Sequence, residues 1–161
     1  MTNIEKNGYK PVQIKIYGKD KGLIMEDLVL CAYEIQSTKI IAFGNEALGY
    51  VNNDNVAVVN PLKWGAVGDF VIFSAIMRNY IKKLSSSVFN KPSLAICIPA
   101  TLTEVESKAF MESTLVLSKK PSYIIHKNFE QIKIENDTQI SKDVNYYIEF
   151  VSEYYKSEYY N

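Results

Sequence analysis

Few residues in this sequence have types and spacing that could do chemistry. The first candidate is Thr103-Glu104-Val105-Glu106, which opens an amphipathic stretch. A glutamate there could orient a water. The same Thr/Glu pair also has the form of a capping box, in which hydroxyl and carboxylate satisfy N–H groups that a helix start leaves unpaired. Asp69 precedes a second amphipathic stretch and reads as an N-cap. His126 is the single histidine. A base at a strand end could titrate near neutrality, but no Ser, Cys or carboxylate motif accompanies it, so it reads as a surface or satisfied histidine. Cys31 and Cys97 sit in the apolar runs LVLCAY and LAICIP and read as buried thiols that behave as small hydrophobes. No Cys/His group has metal-ligand spacing. No glycine-rich phosphate cradle occurs, so no metal and no cofactor is expected.

Composition narrows the classes further. Lys plus Arg and Asp plus Glu are both 18, so the formal net charge is zero. Nucleic-acid binding needs clustered basic residues to neutralise phosphate, and none is expected here. Hydrophobic residues make up 47% and charged residues 22%, ordinary for a globular domain. The segment MTNIEKNGYK has no apolar h-region, so no signal peptide is expected. No apolar run is long enough to span a bilayer. The expected compartment is the cytoplasm, with both thiols reduced.

The elements that would position these residues read as follows. VQIKIY at 12–17 alternates like a half-buried strand, and Asn7-Gly8 before it suggests a hairpin with a first strand around Ile4. Residues 23–25, 28–33 and 38–43 read as strands, and 43–51 as a turn and short helix. Residues 56–68 read as a strand end and loops. From Asp69 a helix runs to about Leu84, with Phe73, Ile76, Met77, Tyr80, Ile81 and Leu84 on one stripe and Arg78 and Lys82 off it. Residues 93–99 form a continuous apolar run, as in a strand buried on both faces. A helix from Thr103 to about Leu117, strands at 122–126 and 131–135, and a final helix from Ser141 complete the series. That helix would carry Val144, Tyr147, Ile148, Val151, Tyr154 and Tyr155 at helical spacing. Strand, helix, buried strand, helix, strand makes an α/β domain with a mixed, largely parallel sheet.

Several of these pieces resemble the bacterial actin MreB family. They are KGLIM at 21–25, IAFGNEAL at 41–48, VNPLKWGAVGDF at 59–70, IFSAIMRNYIKKL at 72–84 and LAICIPATLTEVESKAF at 94–110. They occur in the family's order and with similar spacing over about residues 12–125. The resemblance implies an actin-like (ribonuclease H-like) domain I within residues 1–161. Residues 1–32 and 69–135 would form a larger lobe and 33–68 a small inserted lobe. The helix at 141–161 would be an addition. Family members bind ATP between two domains and assemble into filaments at the inner membrane.

Departures from the family pattern shape the expected function. The family's opening hairpin carries Asp-x-Gly-Thr, where amides hold phosphate and the Asp serves a metal; the stretch Ile4-Glu5-Lys6-Asn7-Gly8-Tyr9 stands there instead. The second Asp-x-Gly-Gly-Gly-Thr loop has no counterpart. Glu106, at the position of a glutamate that helps orient the attacking water, becomes a vestigial catalytic candidate. A non-catalytic protein acting through protein contacts is expected, modulating cytoskeletal filaments or cell-shape machinery. Its partner would be a full-length MreB-like filament or a second copy, with membrane association only indirect. The alternative is a nucleotide- or small-molecule-sensing module that completes its cleft by dimerising. Contact candidates are Trp64, Arg78, Lys82, and the aromatic residues Tyr146, Phe150, Tyr159 and Tyr160 off the last helix's main stripe.

Overall fold

The computed structural model describes residues 12–63, 66–84, 91–99, 102–119, 122–127 and 144–151. Its main sheet contains β1 (Gln13–Gly18), β2 (Gly22–Leu28), β8 (Leu94–Pro99), β9 (Tyr123–Lys127) and β10 (Tyr146–Val151), in the order β2-β1-β10-β8-β9. The pairs β1/β2 and β1/β10 are antiparallel, while β10/β8 and β8/β9 are parallel. A second sheet inserts between β2 and the first helix, with β3 (Cys31–Glu34) flanked by β4 (Ile40–Phe43) and β5 (Val56–Val59). A 3-10 helix, Gly44–Tyr50, joins β4 to β5, and the short strands β6 (Leu62–Lys63) and β7 (Ala66–Val67) pair with each other.

Two helices cover one face of the main sheet. Helix α1 (Phe70–Leu84) buries Phe73, Ile76, Met77, Tyr80 and Ile81, the stripe its 3.6-residue period predicts. Helix α2 (Glu104–Thr114) contributes Phe110, and a 3-10 turn at Leu115–Leu117 follows it. These residues share one core with Ile14 and Ile16 of β1, Leu94, Ile96 and Ile98 of β8, and Ile148 and Phe150 of β10. On the opposite sheet face Ala95, Cys97, Val144 and Tyr147 form a separate buried cluster. The continuous apolar run of β8 therefore packs on both faces, as a central parallel strand requires.

The final helix is corrected. Tyr146–Val151 is a strand, and it lies in the middle of the main sheet. Val144, Tyr147, Ile148 and Val151 happen to fall at helical offsets. A strand buried on both faces has no period of its own, so spacing cannot separate the two forms. The aromatic and β-branched character of YYIEFV is what favours the strand. Phe150, expected on the surface, is 2% exposed. Its ring lies 5.8 Å from that of Phe73 and 5.5 Å from that of Phe110, a range in which aromatic pairs attract. Tyr146 is partly buried, and its hydroxyl donates to the Leu84 carbonyl at 3.2 Å, closing the end of α1. β1 pairs with β2 on one side and with β10 on the other, which bears on the expected hairpin only through its second strand. The hairpin's first strand near Ile4, the strand at 131–135, and Tyr159 and Tyr160 lie outside the described residues.

The start of β10 is fastened by a residue with no sequence signal of its own. Asn145 accepts through Oδ1 from both the N–H and the hydroxyl of Ser93, each at 3.0 Å. Its own N–H donates to the Ser93 carbonyl at 2.9 Å, and its carbonyl accepts from the N–H of Lys19 at 3.0 Å. One asparagine thus ties the starts of β8 and β10 to the end of β1.

A core phenylalanine on a central strand predicts a large loss on truncation. Phe150→Ala should cost about 3–5 kcal/mol, measured by urea unfolding followed by circular dichroism. A residue on an exposed helix would lose well under ~1 kcal/mol.

Candidate functional site

The carboxyl ends of β2, β8, β9 and β10 lie along one edge of the main sheet, because these four strands run the same way. In open α/β sheets this is the edge where ligands bind. Both described helices begin there. Helix α2 starts shortly after β8 ends, and α1 starts at Asp69, whose charge acts on Cys31 just beyond β2.

The sequence candidates on this edge are engaged in holding the fold. Glu106 Oε1 accepts from the Thr103 N–H at 2.9 Å, and the Glu106 N–H donates to Thr103 Oγ1 at 3.2 Å. Both halves of the capping box are therefore formed. Asp69 Oδ1 accepts from the Ile72 N–H at 3.0 Å and caps α1. Helix starts carry partial positive charge, and these carboxylates neutralise it. Arg78 and Lys82 are exposed on α1. His126 lies on β9, and its side chain, like Trp64, falls outside the described residues. Cys31 and Cys97 are free and buried.

A second group, which the sequence reading missed, lies where the two sheets meet. The Asp27 carboxylate accepts through Oδ1 from the N–H groups of Leu28 at 2.8 Å and Asn45 at 2.6 Å. The Tyr80 hydroxyl donates to Asp27 Oδ2 at 3.0 Å and lies 3.1 Å from the Leu28 carbonyl. Asp27 thus joins β2, the 3-10 helix of the second sheet and α1. Gly44 makes this possible. Its φ is +69°, and a Cβ there would overlap the Asp27 carboxylate. The glycine preceding Asn45-Glu46 was the available signal, since a glycine between a strand and a helix often marks a positive φ or a close approach.

Two acids near this junction hold their protons tightly. Burial, aided by the negative charge of Asp69, pushes the Cys31 thiol up to about 11. Burial, then the charge and hydrogen bond of Asp27, raises the Tyr80 phenol well above its ordinary value. A thiol kept neutral is a poor nucleophile.

A model of the family described as MreB/Mbl protein matches residues 11–135. The chain belongs to the MreB/Mbl family. The cell shape-determining protein Mbl of Bacillus subtilis is 32% identical over 114 residues, covering 69% of this chain and 34% of that protein. The cell shape-determining protein MreB of Pasteurella multocida is 29% identical over 121 residues, covering 70% and 34%. This chain therefore spans about a third of the length of these curated MreB/Mbl relatives. Among solved structures, MreB5 of Spiroplasma citri bound to AMPPNP superposes with a TM-score of 0.62 at 18% identity, covering 73% of this chain and 36% of that one. A MamK double helical filament gives 0.57 at 10% identity, covering 72% and 41%. These likenesses show the fold, which is α/β and actin-like.

The resemblance implies a metal-bound nucleotide, and the described groups do not fit one. No group of three or more His, Cys, Asp or Glu that could hold a metal occurs among the described residues. The carboxylates of Glu106 and Asp69 cap helices. The strand between β1 and β8 ends in Glu149-Phe150-Val151, without a glycine that would let amides approach phosphate closely.

Because the folded state holds the Cys31 and Tyr80 protons more tightly, the unfolded chain loses them first as pH rises. The contribution of these two groups to stability should be level below about pH 9, the ordinary thiol value, and fall between there and pH 11. Urea midpoints across that range check this, and Cys31→Ala with Tyr80→Phe should flatten the decline. Tyr80→Phe alone should cost about 1.5–3 kcal/mol at neutral pH, the range for a hydrogen bond to a charged group.

Proposed function

We propose that this chain is a non-catalytic actin-like protein that works through protein contacts on cytoskeletal filaments or the cell-shape machinery. The observation that carries the reading is the end of the central strand at the sheet's carboxyl edge, Glu149-Phe150-Val151, which offers no glycine for a close approach of amides to phosphate. Phosphoryl transfer depends on positioning and charge neutralisation by amides, cations and metal. The commitment of Glu106 and Asp69 to helix caps supports the same conclusion.

The contact surface in this reading is the solvent side of α1. Arg78 and Lys82 are exposed there, while the opposite stripe is core. The partner is a full-length MreB-like filament or a second copy of this chain. The cell shape-determining relatives support the first, and a structural neighbour solved as a double helical filament supports the second. Trp64, Tyr159 and Tyr160 join the proposed surface on sequence grounds alone. The division into a larger lobe of 1–32 and 69–135 and a small lobe of 33–68 belongs to this reading, as does residence in the cytoplasm. Among the described residues no helix is long and apolar enough to cross a membrane.

Two assays on the purified chain test the proposal. With ATP and magnesium, phosphate release should not exceed the protein-free blank. In co-sedimentation with polymerised Mbl-type filaments the chain should pellet, and Arg78→Glu with Lys82→Glu should abolish this at unchanged thermal stability. Turnover at a filament-forming relative's rate, lost on Glu106→Ala, would overturn the reading.

A further inference from the structure

β10 is the strand that holds the main sheet together, yet it lies outside residues 11–135, the part that the family model matches. Within the matched part the described strands make two separate pairs, β2 with β1 and β8 with β9. Nothing else among the described strands bridges them. Without a bridge, β1 and β8 would each present a row of unpaired N–H and C=O groups beneath the core, a cost no stable sheet carries.

The direction and register of β10 say what kind of strand this is. It runs antiparallel to β1, and Val151, its last residue, stands opposite Gln13, the first residue of β1. From there the pairing continues without a break to Gly18 opposite Tyr146. On its other side it runs parallel to β8, with Tyr146 opposite Leu94. A strand that preceded β1 in sequence and entered it through a tight turn would have this direction, these neighbours and this alignment. We infer that residues 144–151 are a permuted opening strand, the piece that the sheet's geometry places directly before β1 but that the chain supplies after β9. The sequence agrees. Ile148-Glu149-Phe150-Val151-Ser152 repeats the carboxylate, spacer and hydroxyl order of Asp-x-Gly-Thr, with Glu for Asp, Val for Gly and Ser for Thr. The counterpart sought at residues 4–9 therefore stands at 149–152. This inference is independent of whether the chain is catalytic.

Two experiments test it. In the full chain, Gln13→Cys with Val151→Cys should oxidise to a disulfide within one molecule, mapped by mass spectrometry of proteolytic fragments. Cys31 and Cys97 are buried and should stay reduced. Free thiols at both new positions, or bonds only between chains, would overturn the placement. In a permutant, residues 141–152 are moved ahead of Val12 through turns of two, three or four residues containing Asn-Gly, the range of tight hairpin loops. At least one turn length should give the parent's near-ultraviolet circular dichroism and cooperative melting. If the permutants at all three lengths are unfolded while the parent is folded, the permutation is wrong.

Discussion

The structure depends on the hydrogen-bonding of one six-residue strand to two neighbours. Six registered positions join β10 to β1, and four join it to β8. Through them the antiparallel half of the sheet is continuous with the parallel half. Side chains reinforce the backbone ladder. Ile148 and Phe150 enter the helix-covered core, and Tyr147 enters the cluster on the other face. Phe150 completes a group of three rings with Phe73 of α1 and Phe110 of α2, themselves 5.3 Å apart in an edge-on arrangement. The strand therefore fixes where both helices sit as well as where the sheet closes. Asn145 sets the register at one end, because its amide oxygen and backbone engage Ser93 and Lys19 together.

The second constraint is the joint between the two sheets. Asp27 accepts hydrogen bonds from β2, from the start of the 3-10 helix and from α1. A carboxylate that gathers donors from three elements disfavours any relative movement that would leave it unpaired, since hydrogen bonds to a charged group are stronger than neutral ones. Gly44 is needed twice over, for its positive φ and for the space its missing side chain leaves. This polar bracket adds to the apolar contact that Cys31, Ile40 and Phe43 of the second sheet make with the main core, while the sheet's other face packs on a small cluster around Leu30, Ala32, Ala42 and Ala47.

What the sequence disclosed followed from how strongly each segment was patterned. The stripe of α1 and its N-cap at Asp69 could be read because the apolar residues lie on one face and the opposite face is charged. Both ends of the observed helix match the expectation. The box at Thr103 and Glu106 could be read because both partners lie within one helical turn. LAICIP could be read as a central strand because a short, uninterrupted apolar run flanked by polar turns has few other uses. YYIEFV has the same character, but Val144, Tyr147 and Val151 imitate a helical face, and Glu149 breaks the apolar run. Only its pairing with β1 and β8 decides the matter, and pairing between residues so distant in sequence leaves no local trace. Asp27 was missed for the same reason. Its donors Asn45 and Tyr80 lie 18 and 53 residues away.

The distribution of charge at the sheet's carboxyl edge bears on what this actin-like domain can do. Helix starts offer unpaired N–H groups and partial positive charge, and so attract anions. Here both helix starts at that edge are occupied by the chain's own carboxylates, Asp69 on α1 and Glu106 on α2, with Glu104 adding a further negative charge in the first turn of α2. An incoming phosphate would have to displace these acceptors and approach their charges. Glu149 sets another carboxylate two residues before the end of β10, on the face away from the helices and opposite Lys15. The same acidic groups that make the helix starts stable therefore place negative charge along this edge.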